Sequence, residues 1–484
     1  MIDDDDVAAR DAEFAALFRR FLTDVVHRAD AGPSALTALG ELVSQHLGVD
    51  ARTLAVVEDS IPAHRLADLD AAFDAIAGPD DRIVGVSGGQ QKRFASLVEM
   101  IAGGGMPFGE APVDYVSVDV GPGEQRSVVG FGLRLMTVDG EPVVALQRAA
   151  DPQHGRVLAS VELLARDRGR AASLLAALRT AMNEHSVLRG KVLTFSQSAF
   201  DYGTGAIGFL PRPEVPAESV VLPEGALARV REHIVGIREH APRLRAAGAH
   251  LKRGALLYGP PGTGKTLTVN HLVSRAEGVT TVLLTGASIR FITEAAQLAR
   301  AMSPSLVVLE DVDLIAHERD LHGSPQPLLF SVLDALDGLD GDADVAFVMT
   351  TNRVELLERA LVERPGRVDL AVEIPLPDAD ARRRLFAIYA GGAPFSDAAV
   401  AEAADRCEGV TGSFAKELVR RALLRAATAG EAPSDEHLRQ ATDELLDDRE
   451  VLTRRLVGGT DGVEASPWED DGPTGYGSTV SFSG

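Results

Sequence analysis

The chain has 484 residues, too many for a single hydrophobic core, so two or three domains are expected. Lys and Arg number 48 against 71 Asp and Glu, a formal charge of −23, which argues against a nucleic-acid surface because such a surface needs clustered cations to neutralise phosphates. Apolar residues make up 45% and aromatics only 5%, so Leu, Val and Ala must build most of a globular interior. Cys407 is the only cysteine; it excludes an intramolecular disulfide, suits a reducing compartment and reads as a packed small hydrophobe. The opening Met1-Ile2-Asp3-Asp4-Asp5-Asp6 is acidic where a secretory signal would be basic and then apolar. No apolar run approaches the roughly 18 residues of a membrane span, and a cytoplasmic protein without such a span is expected.

Along the chain, apolar residues first recur at helical spacing over 7–27, then around 34–47 and 63–76. Short Val- and Leu-rich runs follow at 115–120, 127–138, 142–148 and 156–165, and Asp139-Gly140 between two of them is a two-residue hairpin signal. A helix over 168–185 and a strand over 191–195 complete an α+β N-terminal module, 1–200, that carries no motif. Residues 201–223, rich in Gly and Pro, read as a linker. From there to 376 buried strands, predicted at 256–258, 281–284, 306–309 and 345–350, alternate with helices, the mark of an α/β parallel sheet. Residues 377–450 are helical only, with helices predicted over 378–389, 396–406, 413–429 and 434–446. Residues 451–484, rich in Gly, Ser and Asp, are expected to form a disordered tail.

Gly259-Pro260-Pro261-Gly262-Thr263-Gly264-Lys265-Thr266 fits G-x-x-x-x-G-K-[ST] between a strand and a helix, the context that a phosphate-binding loop requires. The glycines let successive N–H groups face an anion, and the helix points the positive end of its dipole at it. Lys265 can reach the β- and γ-phosphates of ATP, and the Thr266 hydroxyl can complete a Mg2+ shell. Further on, Leu306-Val307-Val308-Leu309 runs into Glu310-Asp311-Val312-Asp313. Carboxylates at the C-terminal end of such a strand sit beside the phosphates, one to hold the metal and the next to polarise the attacking water.

The pairing of these two motifs resembles the AAA family of ATPases. The family order is Asp then Glu; the swapped Glu310-Asp311 resembles the group around the mitochondrial translocase of the Rieske iron–sulfur protein. By that resemblance Glu310 takes the metal position and Asp311 the water-polarising one. Asp is one methylene shorter, about 1.5 Å, and a misplacement near 1 Å can cost on the order of 100-fold in rate; either the backbone shifts to compensate or turnover is slow. Asn352 matches the family's sensor of the γ-phosphate. Arg364 and Arg367, in a segment with one extra residue before Arg364, match the arginines that reach a neighbouring subunit's nucleotide. The resemblance therefore implies a homo-oligomeric ring, most simply a hexamer, with a helical lid marked by 409–418, and places the activity within about 221–446.

Phe291-Ile292 could be the aromatic–hydrophobic pair of a protein-threading pore loop, but 289–299 reads equally as one buried helix. His317-Glu318-Arg319-Asp320-Leu321-His322 approaches a zinc-protease signature, yet its histidines are spaced to diverge around a helix rather than share a face. Two functional readings follow. One is an ATPase that remodels or translocates a protein client, recognised directly or through an adaptor by the N-terminal module; the other is a nucleotide-dependent scaffold or switch that hydrolyses slowly.

Overall fold

A computed structural model describes residues 36–102, 107–196, 206–313, 343–355 and 368–447. The predicted helix over 7–27 and the tail over 451–484 lie outside the described residues. The chain divides into two compact units: one drawn from Met1–Ala217, Leu227–Tyr258 and Thr266–Val372, the other from Glu218–Ala226, Gly259–Lys265 and Glu373–Gly484.

The first unit begins with α1 (Ala38–Leu47), β1 (Val56–Ile61), α2 (Leu66–Ile76), β2 (Arg82–Val86), α3 (Leu97–Ala102) and β3 (Glu110–Ala111). The predicted strand run follows as β4 (Asp114–Gly121), β5 (Glu124–Val138), β6 (Glu141–Arg148) and β7 (Ala159–Ala165), and then α4 (Arg168–Glu184). The strands form an antiparallel sheet in the order β1-β7-β6-β5-β2-β3, with β4 also on β5. Asp139 and Gly140 turn β5 into β6 with φ of 51° and 81°, the left-handed pair that a tight hairpin demands. Alternate residues of this sheet serve different cores. Val143, Ala145, Val161 and Leu163 pack with Leu69 and Phe73 of α2 and Leu174 and Leu178 of α4. Val144, Leu146 and Leu164 pack with Leu39 and Val43 of α1 and Met100 of α3. The sheet is thus covered on both faces.

Several charges inside this layer pair with one another. Arg134 pairs with Asp70, donates to Gln147 at 3.2 Å and lies over the Phe73 ring. Asp68, with no exposed surface, accepts from Arg65 Nε at 2.6 Å, Ser186 Oγ at 2.8 Å and the Val187 amide at 2.9 Å. Those three donors tie α2 to the turn that leaves α4.

Beyond that turn come β8 (Val192–Ser196) and β9 (Ala206–Leu210), which the sequence reading gave to the N-terminal module and to the linker. Both belong instead to a second sheet. β8 runs parallel to a later strand, Thr281 opposite Val192, and β9 folds back antiparallel on β8. The pairing buries Leu193 and Phe195, and its partner lies so far along the chain that no local pattern announces it. The second sheet continues with α5 (Ala226–Arg231), α6 (Ile237–Ala246), β10 (Arg253–Tyr258), α7 (Lys265–Arg275), β11 (Thr280–Thr285), α8 (Ile292–Ala301), β12 (Ser305–Glu310), β13 (Val345–Thr351) and β14 (Leu370–Glu373). Its order is β14-β10-β13-β12-β11-β8-β9, parallel from β10 through β8. The central strands are buried throughout, as the continuous Val and Leu runs require of a sheet with helices on both faces.

In the second unit four helices form a bundle: α9 (Ala379–Ala390), α10 (Asp397–Arg406), α11 (Gly412–Ala429) and α12 (Asp435–Leu446). Asp378, Ser396 and Thr411 cap the first three, each side chain accepting an amide of the first turn. Phe386, Phe414, Leu418 and Leu438 fill the bundle together with Cys407, whose thiol burial pushes up to about 12. No helix among the described residues is long and apolar enough to cross a membrane.

Candidate functional site

The phosphate loop leaves β10 at Tyr258, and its glycines have distinct reasons to be glycine. Gly259 has φ of +145°, and a Cβ there would stand 2.2 Å from the Ile374 carbonyl oxygen. Gly262 has φ of +77°, and a Cβ would meet the hydroxyls of Ser413 and Thr411 at 2.9 and 3.0 Å. Its carbonyl accepts the Ser413 amide at 3.1 Å, so the start of α11 is seated on the loop. Thr263 Oγ1 donates to Pro260 O at 2.9 Å, and Lys265 Nζ donates to the carbonyls of Gly259 and Pro260, each at 2.8 Å. The lysine, only 5% exposed, braces the curl from inside. Pro261 and Thr266 are exposed, and α7 begins at Lys265, so the N-terminal end of that helix follows directly from the loop.

The acidic strand end is built on β12 and β13. Burial raises the Glu310 carboxyl above the ordinary glutamate range; a hydrogen bond with Thr266 opposes this, and the neighbouring Asp311 charge adds to it. Glu310 Oε1 is buried with no hydrogen-bond partner among the described residues. Native proteins rarely leave a carboxylate oxygen so. An orphaned hard oxygen beside an exposed threonine hydroxyl fits a cation that takes oxygen ligands, as Mg2+ does.

Asp311 itself is left-handed, with φ of +52°, a conformation that Asp tolerates better than most residues but that still costs about 1 kcal/mol. The Asp311 amide donates to Thr350 Oγ1 at 2.9 Å and the Val312 amide to Thr350 O at 3.0 Å, which hold that turn against β13. Asn352 Nδ2 lies 3.4 Å from Asp311 Oδ1, so these two predicted residues do come together. What brings them there is Asp313, buried, whose Oδ1 accepts from Thr351 Oγ1 and from the Asn352 amide, both at 3.0 Å. Asp313 and Thr350 were given no role from sequence. Their only signal is position, the fourth residue of the acidic run and the last turns of the facing strand.

Arg364 and Arg367, and the histidines at 317 and 322, lie outside the described residues. Phe291 and Ile292 are described and sit in the core, 6% and 0% exposed. The Phe291 ring stacks on Phe195 of β8 at 5.6 Å between centroids. The segment is buried as the second reading has it, but as a 3-10 turn over Gly286–Phe291 followed by α8 rather than as one continuous helix.

Residues 255–376 match the family model for the ATPase family associated with various cellular activities (AAA). The chain is also similar to an ATP-dependent zinc metalloprotease FtsH 2 of Sphaerobacter thermophilus, 31% identical over 51% of this chain and 41% of the relative. It is similar to proteasome-activating nucleotidases of Methanoculleus marisnigri, 32% identical over 44% of this chain and 54% of the relative, and of Methanocaldococcus jannaschii, 28% identical over 57% and 67%. The chain thus spans about half the length of the first of these relatives.

Proposed function

Because residues 255–376 match the AAA ATPase family, we propose that the chain binds ATP with Mg2+ and hydrolyses it in a ring of its own copies, using the turnover to remodel a protein client. The observation that carries this reading is the buried, unpartnered Oε1 of Glu310, whose carboxyl group also engages the Thr266 hydroxyl. The phosphate loop's amides and the start of α7 hold the polyphosphate, and Lys265 leaves its loop carbonyls to neutralise it. Thr266 and Glu310 would hold the magnesium ion, which when bound neutralises charge on the phosphates. Asp311 accepts a hydrogen bond from the attacking water and orients it; Asn352 fixes that carboxylate from the side. Arg364 and Arg367 serve the nucleotide of the neighbouring copy, which is why a ring is part of the proposal. A client rather than a nucleic acid suits the −23 charge and the relatives named for a protease and for proteasome activation. The N-terminal module is the part left to recognise that client or its adaptor. A reducing, cytoplasmic setting suits a chain whose one cysteine is a buried thiol.

One observation keeps a second reading, the slow scaffold or switch, in play: the short water-orienting side chain stands on a left-handed residue. That local turn is also the kind of backbone change by which a shorter carboxylate could regain its place. Steady-state ATPase assays separate the two. Lys265→Ala and Asp311→Asn are each expected to lower turnover by about 100-fold or more. Wild-type turnover no faster than that of the variants, with nucleotide still bound, would replace the ATPase by the scaffold.

A further inference from the structure

Between α11 and α12, on the second unit, runs an open groove of about 760 Å³ whose walls carry Arg420, Arg421, Arg425 and His437 against a single carboxylate, Glu444. Leu424, 53% exposed, forms its apolar floor. In a chain of net charge −23 this concentration of guanidinium groups is unusual. Arg420 Nη2 pairs with Glu417 at 2.6 Å and Arg425 with Glu444, while the half-buried Arg421 pairs with both Glu417 and Glu444 at 3.3 Å. The more exposed pairs, those of Arg420 and Arg425, contribute about 0–1 kcal/mol, so an incoming acidic segment can share or displace them at little cost. A guanidinium carries five donors and can recognise a further carboxylate bidentately beside a partner that it already has.

The same chain supplies a segment of matching chemistry. Residues 461–471 hold Asp461, Glu464, Glu469, Asp470 and Asp471 and no Lys or Arg, and within them stands Trp468, the only tryptophan of the protein. The described structure stops at Asp447, one residue after α12, which is itself a wall of the groove. From Asp447 the chain can extend roughly 70 Å by Trp468, far more than it needs to turn back. We propose that the segment around Trp468 docks into its own groove, the indole against Leu424 and the carboxylates of Glu469, Asp470 and Asp471 among Arg420, Arg421 and Arg425. An aromatic anchor flanked by charges is the usual make-up of an interface centre. Tethering raises the local concentration of the segment to the millimolar range, so a weak contact suffices. The contact stands whether or not the chain hydrolyses ATP.

The sole tryptophan makes the test direct on the full chain. In the wild type, Trp468 emission is expected to be blue-shifted and its acrylamide quenching constant about threefold below that of a peptide of residues 461–471, and 1 M salt, where the Debye length is about 3 Å, should abolish the difference. The double variant Arg421→Glu/Arg425→Glu should lose the protection. Because those arginines brace the helix pair, Glu469→Lys/Asp470→Lys/Asp471→Lys, which leaves the bundle untouched, must lose it equally. Trp468 as accessible in the wild type as in the peptide overturns the proposal. So does protection that survives both variants, which places the indole elsewhere, or protection that disappears on dilution, which makes the occupant another copy's segment.

Discussion

Asp68 in the N-terminal layer and Glu310 at the end of β12 are both carboxylates whose pKa burial raises, yet they sit in opposite circumstances. Asp68 receives three donors from Arg65, Ser186 and Val187. Glu310 has an oxygen that receives none. The two sheets around them differ in the same sense. In the antiparallel one, charges such as Arg134 and Arg148 pair with carboxylates of its own, though Arg148 Nε stays without an acceptor among the described residues. The parallel one ends in an unanswered carboxylate and a left-handed aspartate. A buried charge that the protein satisfies is part of the architecture; one that it leaves unsatisfied marks where something else belongs.

That contrast can be broken by mutation. Asp68→Ala takes an acceptor from Arg65 Nε, from the buried Ser186 hydroxyl and from the Val187 amide, and is expected to cost about 3–5 kcal/mol in chemical denaturation; a loss under 1 kcal/mol would make the two carboxylates alike. Next in size is Phe291→Ala, which removes a core ring stacked on Phe195 and should cost about 3 kcal/mol, with the proposed client processing, taken per folded ring, unchanged. Reduced processing in rings of undiminished stability would return Phe291 to the pore-loop reading. Smallest in stability is Glu310→Gln, which without nucleotide should raise the melting temperature by about 2 °C at neutral pH while removing magnesium-dependent nucleotide affinity. The sign follows from the raised folded pKa. Its contribution is fully present below the unfolded glutamate value of 4.5 and is lost as pH rises through the folded value. The wild type should therefore fall progressively below Glu310→Gln as pH climbs from 4.5, in thermal scans without magnesium. A wild type that stays the more stable of the two would mean that Glu310 has partners of its own after all.

Much of the nucleotide sheet could be read from local pattern. The strands at 256–258, 281–284, 306–309 and 345–350 and the helices after Asp378, Ser396, Thr411 and Ser434 were placed to within about three residues, because continuous apolar runs and capping side chains are local signals. β1 escaped notice because Val56-Val57-Glu58-Asp59-Ser60-Ile61 mixes charges into a half-buried edge. The placement of β8 and β9 escaped for a different reason, since what makes them part of the second sheet is β11, some 90 residues on. At the site, residue identities were legible and their relations were not. The motif named Glu310, Asp311 and Asn352; that Asp313 clamps the Asn352 amide, or that Asp311 turns left-handed on Thr350, is settled only by tertiary pairing. Cys407, read as a packed small hydrophobe, is one.

The hairpin of β8 and β9 has a consequence for anyone who would cut this protein apart. A fragment begun at Val221, where motif boundaries suggest, would strip two strands from the parallel sheet and leave β11 as a raw border, its amides and carbonyls open to the next molecule. The smallest fragment that keeps this sheet whole therefore has to begin before Lys191, and grafting a foreign module onto it means splicing upstream of that hairpin.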